Sequence, residues 1–318
     1  MNIKRILVLG GTGFVGRHLL ARLSGLQLRT VVPTRRRDRA RHLLPLPTTE
    51  IIEADIHDDA TLRALVAQSD AVINLVGILH GSGADFERAH ATLPARVIDA
   101  CRQHAVRRLL HMSALGVTDT GKLPSLYLQS KQAGEAAVRA SALDWTIFRP
   151  SVIFGPDDRF INLFASLQRF APLVPLAGAD ARLQPVYIGD VASAFVNVLQ
   201  NPASFGRTYE LAGPEVYRLR ELVELSGRIH GCRRLVIGLP DWVGRLQAAV
   251  MEVLPGPPLM SMDNLDSLRQ PNVATGPMAP ELGIAHPTRL DAASATGSLA
   301  RQQRLDQSRA AARRHLTE

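Results

Sequence analysis

Tyr127 and Lys131 stand four residues apart in the segment SLYLQSK, residues 125–131, of a 318-residue chain that holds four tyrosines and three lysines. If the segment is helical, positions i and i+4 share a face and the phenol and ammonium lie together. A free tyrosine has a pKa of about 10 and is a poor base at neutral pH, but a fixed ammonium nearby favours the phenolate. Such a pair serves as acid or base at a carbonyl or alcohol oxygen while a nicotinamide carries the hydride. The alternative is two polar residues that share a helix face; chance supplies about 0.04 pairs of this spacing at this composition.

A hydride carrier needs a phosphate cradle, and ILVLGGTGFVGRHLL, residues 6–20, is a candidate. Gly10, Gly13 and Gly16 recur at three-residue spacing, and Gly11, Gly13 and Gly16 also satisfy G-x-G-x-x-G between a strand and a helix. The early glycines permit a tight turn and let N–H groups approach a pyrophosphate, while Gly16 allows close helix-to-strand packing. Thr12, Phe14 and Val15 complete the loop; a glycine-rich turn without a ligand is the other reading. A site for an unphosphorylated ribose carries Asp or Glu about twenty residues on. Here the second strand ends VVPTRRR, and Thr34, Arg35 and Arg36 would attract a 2′-phosphate. NADP(H) is therefore favoured over NAD(H), with a solvated arginine turn as the alternative. Asp55, followed by Ile56 in IIEADIHD, is a candidate for the adenine edge, though a helix N-cap explains it as well.

Ligands of open α/β sheets lie outside the carboxyl ends of the strands. That rule singles out Asn74, Leu75, Val76 and Gly77 after the fourth strand, Ser113 after the fifth, and Arg149, Pro150 and Gly155 around the sixth. His80 and His111 lie nearby without a partner pattern and read as structural or surface residues. In GPDDRF, Asp157, Asp158 and Arg159 read as a capped turn in preference to a metal site. The stretch LPDWVGRLQAAVMEVLPGPPLM spaces Trp242, Val243, Leu246, Val250 and Val253 as on a helix. Core packing is the first reading of that stripe, and an apolar lid or membrane-surface helix the second.

The elements that must position these residues alternate in type. RILVLG, RTVVPT, TEIIEAD, AVINLVG, RRLLHMS and DWTIFRP read as strands. Residues 14–24 and 60–69 carry apolar stripes of helical period between them, and residues 124–140 read as a helix whose Ala133, Gly134, Ala136 and Ala137 suit close packing. This βαβ rhythm predicts an α/β Rossmann fold, a doubly wound parallel sheet. After Pro150 the prolines and glycines multiply, and one strand-to-helix unit returns at QPVYIGDVASAFVNVLQ with Asp190 as an expected N-cap. The expected division is an NAD(P)-binding domain at residues 1–155 and 184–212, a smaller, mostly C-terminal substrate or cap region at 156–183 and 213–296, and a basic tail at 297–318.

The net charge of +8 comes almost wholly from arginine, whose residues are dispersed with two local concentrations, TRRRDRARH and the tail. Neither run interleaves aromatic residues, so the stacking platforms of single-strand binders are missing and no nucleic-acid partner is expected. Cys101 and Cys232 are too few for a disulfide framework and lack metal-ligand spacing, so no metal is expected. With no run of eighteen apolar residues and no cleavage pattern ahead of IKRILVLGG, the expected location is cytoplasmic.

GGTGFVG, YLQSK, RPSVIFGP and QPVYIGDVASAF together resemble the extended and atypical short-chain dehydrogenase/reductases. RPSVIFGPDDRFINLFA followed by QPVYIGDV is similar, more narrowly, to the branch containing the nucleotide-binding accessory subunit of mitochondrial complex I and its bacterial relatives. The resemblance covers roughly residues 1–270. It implies that Tyr127 is the acid/base, that Lys131 holds the ribose and tunes it, that Ser113 bonds the substrate oxygen and that residues 10–16 bind pyrophosphate. Many extended members carry consecutive serines after the fifth strand, whereas Ser113 is followed here by Ala114 and Leu115. Two functions are implied: an oxidoreductase or epimerase acting on a quinone-related or nucleotide-linked substrate, or a catalytically silent NADPH-binding structural or assembly factor of a respiratory or quinone-biosynthesis membrane complex. The second carries association with the inner membrane, peripheral or through that complex.

Overall fold

The computed structural model describes residues 3–158, 160–253 and 260–291. Arg159, the LPGPPL part of the apolar stretch and the basic tail lie outside them. The first half runs β1 (Arg5–Leu9), α1 (Phe14–Gly25), β2 (Arg29–Thr34), β3 (Thr49–Glu53), α2 (Asp59–Ala67), β4 (Ala71–Asn74), α3 (Gly83–Glu87), a π-helical turn (Arg88–Thr92), α4 (Leu93–Gln103), β5 (Arg108–Met112), α5 (Leu126–Ala140) and β6 (Asp144–Pro150). The second half contains β7 (Ile153–Phe154), α6 (Phe160–Phe170), β8 (Leu173–Leu176), β9 (Arg182–Leu183), β10 (Val186–Tyr187), α7 (Ile188–Val198), β11 (Arg207–Leu211), β12 (Tyr217–Arg218), α8 (Leu219–Ile229), β13 (Leu235–Gly238), α9 (Asp241–Val253) and α10 (Met262–Ser267).

Seven strands form one parallel sheet in the order β11-β6-β5-β4-β1-β2-β3, so the strand order reverses beside β1 and β4. The fold is Rossmann-like and doubly wound, as the alternation of elements predicts. Its central strands read as apolar runs because both faces are covered. Ile6 and Val8 of β1 point into a core with Leu19 and Leu23 of α1 and Val191 and Phe195 of α7, while Leu7 and Leu9 point to Leu62 of α2 and Val97 of α4.

The returning unit differs from its expected form. β10 pairs with β7 outside the large sheet, and the strand that joins the sheet is β11, RTYEL, beside β6. Asp190 is not an N-cap: α7 begins at Ile188, and the Asp190 carboxylate accepts from Thr288 N at 2.7 Å and Thr288 Oγ1 at 3.1 Å. Beyond the sheet, α6, α8 and the β8/β13 pair enclose a further apolar cluster that contains Phe164, Val174, Leu222 and Val236. Core packing fails for the α9 stripe. Trp242, Leu246, Val250 and Val253 are exposed and only Gly244 and Ala248 are buried, because a Cβ on Gly244 would sit 2.7 Å from that of Ala177 and the helix seats on its small residues. No helix among the described residues is long and apolar enough to cross a membrane.

Candidate active site

The carboxyl ends of β1, β4, β5 and β6 bring the chemistry-bearing residues to one edge of the sheet. Gly10 has φ +77°, open to glycine without strain, and a Cβ there would lie 3.0 Å from Leu75 C and Val76 N. The loop after β1 thus rests directly against the loop after β4. Gly13 N donates to Gly10 O at 3.0 Å, closing the turn that starts α1. Gly16 is the tightest point, since its Cβ would fall 2.3 Å from Gly11 O. The N-terminus of α1 has no side-chain cap and no acid in its first turn, and Gly13 is exposed there, with Thr12 and Phe14 half-buried and Val15 buried. Free N–H groups and the helix dipole leave that end ready for an anion.

At the end of β2, Thr34 Oγ1 accepts from Arg36 N at 3.3 Å and donates to Arg36 O at 3.1 Å, which shapes the turn. Arg36 is engaged by Asp38 through bonds of 3.2 and 2.8 Å, whereas Arg35 is exposed with no ion-pair partner among the described residues. Of the two guanidiniums expected to meet a 2′-phosphate, Arg35 is the uncommitted one. Asp55 is exposed and accepts from His57 N at 3.0 Å, with Ile56 half-buried beside it. Asp55 is not the N-cap of α2: Asp58 caps it by accepting from Thr61 N at 2.7 Å.

Tyr127 and Lys131 share a face of α5, and Lys131 Nζ donates to Met112 O at 3.1 Å. Gly77 is exposed above them, and a Cβ on it would meet Lys131 Nζ at 3.3 Å, so glycine leaves the ammonium its opening. Ser113 is 3% exposed and its Oγ has no partner among the described residues. A buried hydroxyl without a partner is costly. Pro150 O accepts from Leu115 N at 2.8 Å and ties the loop after β5 to the end of β6.

The pair's electrostatics differ from expectation. Burial, then the charge of Asp263, pushes the Tyr127 phenol up to about 12, so Lys131 does not draw it toward phenolate here. Lys131 is 2% exposed, and burial pulls its ammonium down to about 8 against the opposing charge of Glu135. Below pH 8 this lysine is charged in both folded and unfolded chains, and the native state carries the full cost of the buried charge. Between about 8 and 10.5 the native chain gives up the proton first, and the cost fades. Lys131→Met should therefore raise stability at pH 7 by roughly 2 kcal/mol: about 3 from the shift, less about 1 for the lost hydrogen bond. The gain in urea denaturation should shrink as pH rises through that window; a less stable variant at pH 7 would contradict the buried-charge account.

Several contributors carry no local sequence signal. His90, in the π-helical turn, lies edge-to-face with Tyr127 at 5.4 Å. Its Nε2 accepts from Ile78 N at 3.0 Å, so Nδ1 bears the proton toward Ser130 Oγ at 2.9 Å, and Ser130 donates to Tyr127 O at 2.7 Å. Burial, then Lys131 and His111, pulls His90 down to about 2, which keeps it neutral. Gly134 permits this packing, because a Cβ there would fall 1.9 Å from His90 O. Further along the same face, Glu135 takes Arg149 in a buried bidentate pair at 2.9 and 2.7 Å, and Asp119 bridges Arg149 and Arg139 at 2.6 and 2.8 Å. A cleft of about 380 Å³ lies beside this network against β11.

His111 is structural: it is buried, faces Asn74 Nδ2 at 3.3 Å, and is pulled down to about 3 by burial and then by Lys131. His80 is half-buried and lowered by burial, with Nδ1 unpartnered among the described residues. In GPDDRF, Asp158 accepts from Ile161 N at 2.6 Å and Gly155 N at 3.3 Å, as the capped turn predicts. No group of three or more His, Cys, Asp or Glu among the described residues could hold a metal ion.

Similarity to known proteins follows these elements. Residues 6–212 match the NAD dependent epimerase/dehydratase family. The mitochondrial NADH dehydrogenase [ubiquinone] 1 alpha subcomplex subunit 9 of Arabidopsis thaliana is 31% identical over 279 residues, covering 82% of this chain and 68% of the relative. The chain thus spans about two thirds of that relative's length. The ceramide reductase of Caulobacter vibrioides is 27% identical over 242 residues, 74% of each chain. The crystal structure of DesIV, a dTDP-glucose 4,6-dehydratase from Streptomyces venezuelae with NAD and TYD bound, superposes with a TM-score of 0.70 at 20% identity over 94% of this chain and 98% of that one, a likeness of fold.

Proposed function

The chain belongs to the NAD dependent epimerase/dehydratase family, and on that premise we propose that it is an NADP(H)-dependent oxidoreductase or epimerase acting on a small carbonyl or alcohol substrate, quinone-related or nucleotide-linked. The observation that supports this reading is that Lys131, one helical turn from Tyr127, reaches Met112 O next to Ser113, whose hydroxyl has no partner among the described residues, at the sheet edge where α1 offers an uncapped N-terminus. Residues 10–16 would hold the pyrophosphate, Arg35 with Thr34 and Arg36 the 2′-phosphate, Asp55 and Ile56 the adenine side, and Leu75, Val76, Gly77, Lys131 and Pro150 the ribose and nicotinamide. When bound, the nicotinamide supplies or accepts the hydride. Ser113 Oγ orients the substrate oxygen by a hydrogen bond, and Tyr127 Oη exchanges a proton with that same oxygen. The Lys131 ammonium holds sugar hydroxyls and offsets negative charge that develops on the phenol. The test is NADPH consumption with quinones, aldehydes and keto-sugar nucleotides as acceptors. Turnover with one class supports the reading, and none with any of them counts against it.

A second reading has its own observations. The Arabidopsis thaliana relative is by name a subunit of NADH dehydrogenase, and α9 presents Trp242, Leu246, Val250 and Val253 to the exterior. On that reading the protein is a catalytically silent, NADPH-binding assembly or structural component of a membrane complex, docked peripherally from the cytoplasmic side. Loss of the cofactor would then abolish its cellular role, whereas loss of the Tyr127 hydroxyl would not.

A further inference from the structure

α10 reaches across from the second half of the chain to the helix that bears Tyr127. The Asp263 carboxylate accepts from Leu126 N at 2.6 Å through Oδ1 and from Tyr127 N at 3.1 Å through Oδ2. Ser125 takes the next amide, Leu128 N, at 3.2 Å, and Gln129 N bonds Ser125 O at 3.0 Å. The three leading N–H groups of α5 that lack an intrahelical acceptor are therefore satisfied by side chains, two of them by a residue more than 130 positions away. The same segment is fastened around the site: Ser267 Oγ meets Ser125 Oγ at 2.8 Å, Asn264 Nδ2 donates to Leu79 O at 3.2 Å, and Asn272 Nδ2 donates to Leu115 O at 3.0 Å. These contacts reach the start of α5 and the chain beyond β4 and β5, the borders of the proposed active site.

We propose that Asp263 is a positioning residue for Tyr127: bonded to the tyrosine's own amide, its carboxylate fixes the start of α5 and sets an anion against the residue that opposes loss of the phenol proton. Its place in catalysis rests on the oxidoreductase reading, whereas the contact and its effect on the phenol do not. The other charged groups on the elements packed around Tyr127 are accounted for. Lys131 on α5 bonds Met112 O, and neutral His90 in the π-helical turn contacts the ring edge-to-face. Asp85 of α3 is held by Ser82 and Arg88, while Glu87 is exposed. Asp266 of α10 is paired with Arg245 and Arg269, and Glu135 with Arg149 and Arg139. Asp263 is thus the carboxylate that touches the tyrosine's own residue, and its charge acts in the same direction as burial. In the proton step the Tyr127 O–H bond breaks as the substrate O–H bond forms, and the phenolate regains its proton from water.

The test places 3-fluorotyrosine at position 127 of the full chain. The ring fluorine brings ionisation to a pH at which the fold is intact, and fluorine NMR reads it without substrate or cofactor. Asp263→Asn keeps an oxygen acceptor and removes the charge; it should lower the ionisation midpoint by about one pH unit, and Asp263→Glu should restore it. Asp263→Ser, also neutral, serves if the asparagine variant does not fold. A midpoint that stays in place in a folded neutral variant, with only thermal stability changed, overturns the proposal and leaves Asp263 a cap alone. Absence of NADPH-dependent turnover would sink the oxidoreductase reading without moving this midpoint, so the two failures are distinguishable.

Discussion

Tyr127→Phe is expected to lower NADPH-dependent turnover roughly 10²- to 10⁴-fold while nucleotide affinity is unchanged. The phenol oxygen has no hydrogen-bond partner among the described residues, and the ring is held by Phe86 at 6.1 Å and His90 at 5.4 Å, contacts that phenylalanine retains. The substitution therefore removes the exchangeable proton and little else. In steady-state assays the loss should fall on kcat and kcat/KM alike, since the interaction is made in the transition state. Equal activity of the variant would remove Tyr127 from the chemistry. In the cell the same substitution separates the two functions: an enzyme loses its role, whereas a silent subunit keeps it as long as the cofactor binds.

Gly16→Ala is expected to abolish nucleotide binding and to destabilise the fold by about 3 kcal/mol, the upper part of the range for overpacking. The added Cβ would lie 2.3 Å from Gly11 O and 2.5 Å from Gly11 C and Cα, all backbone atoms of the phosphate loop itself. A flexible side chain could swing aside, but here α1 must move away from β1 or the loop must deform. Both separate the helix N-terminus from the turn at Gly10. Thermal unfolding with and without NADPH reads both effects: a lower Tm and the disappearance of the ligand-induced rise. A variant that retained the full rise would show that the loop is not the cradle.

What was legible in the sequence was what nearest neighbours determine. β1, β2, β4, β5 and β6 announce themselves because buried parallel strands are apolar on both faces, and the glycines of the first loop because backbone contacts leave no room for a side chain. β11 was hidden for the converse reason. As the edge strand RTYEL it alternates, with Tyr209 and Leu211 buried between less buried positions, and only its partner β6 makes it a strand. Asp263, His90 and the Glu135–Arg149 pair were hidden because their role is long-range geometry. Asp263 meets Tyr127 from 136 residues away, and His90 gains its place from a π-helical turn that no local pattern marks. The phenol's acidity failed for the same reason: spacing puts an ammonium on its helix face, but burial and a distant carboxylate determine the outcome.

On the proposed function, residues 10–16, together with the ends of β2 and β4, hold a nicotinamide dinucleotide with a 2′-phosphate. Native mass spectrometry of the protein as purified would show it, followed by addition of NADPH or NADH to protein stripped of nucleotide. The expected result is a stoichiometric adduct with the mass of NADP(H), displaced by added NADPH in preference to NADH. Protein that carries neither nucleotide, takes up neither on addition and gains no thermal stability from either would contradict it.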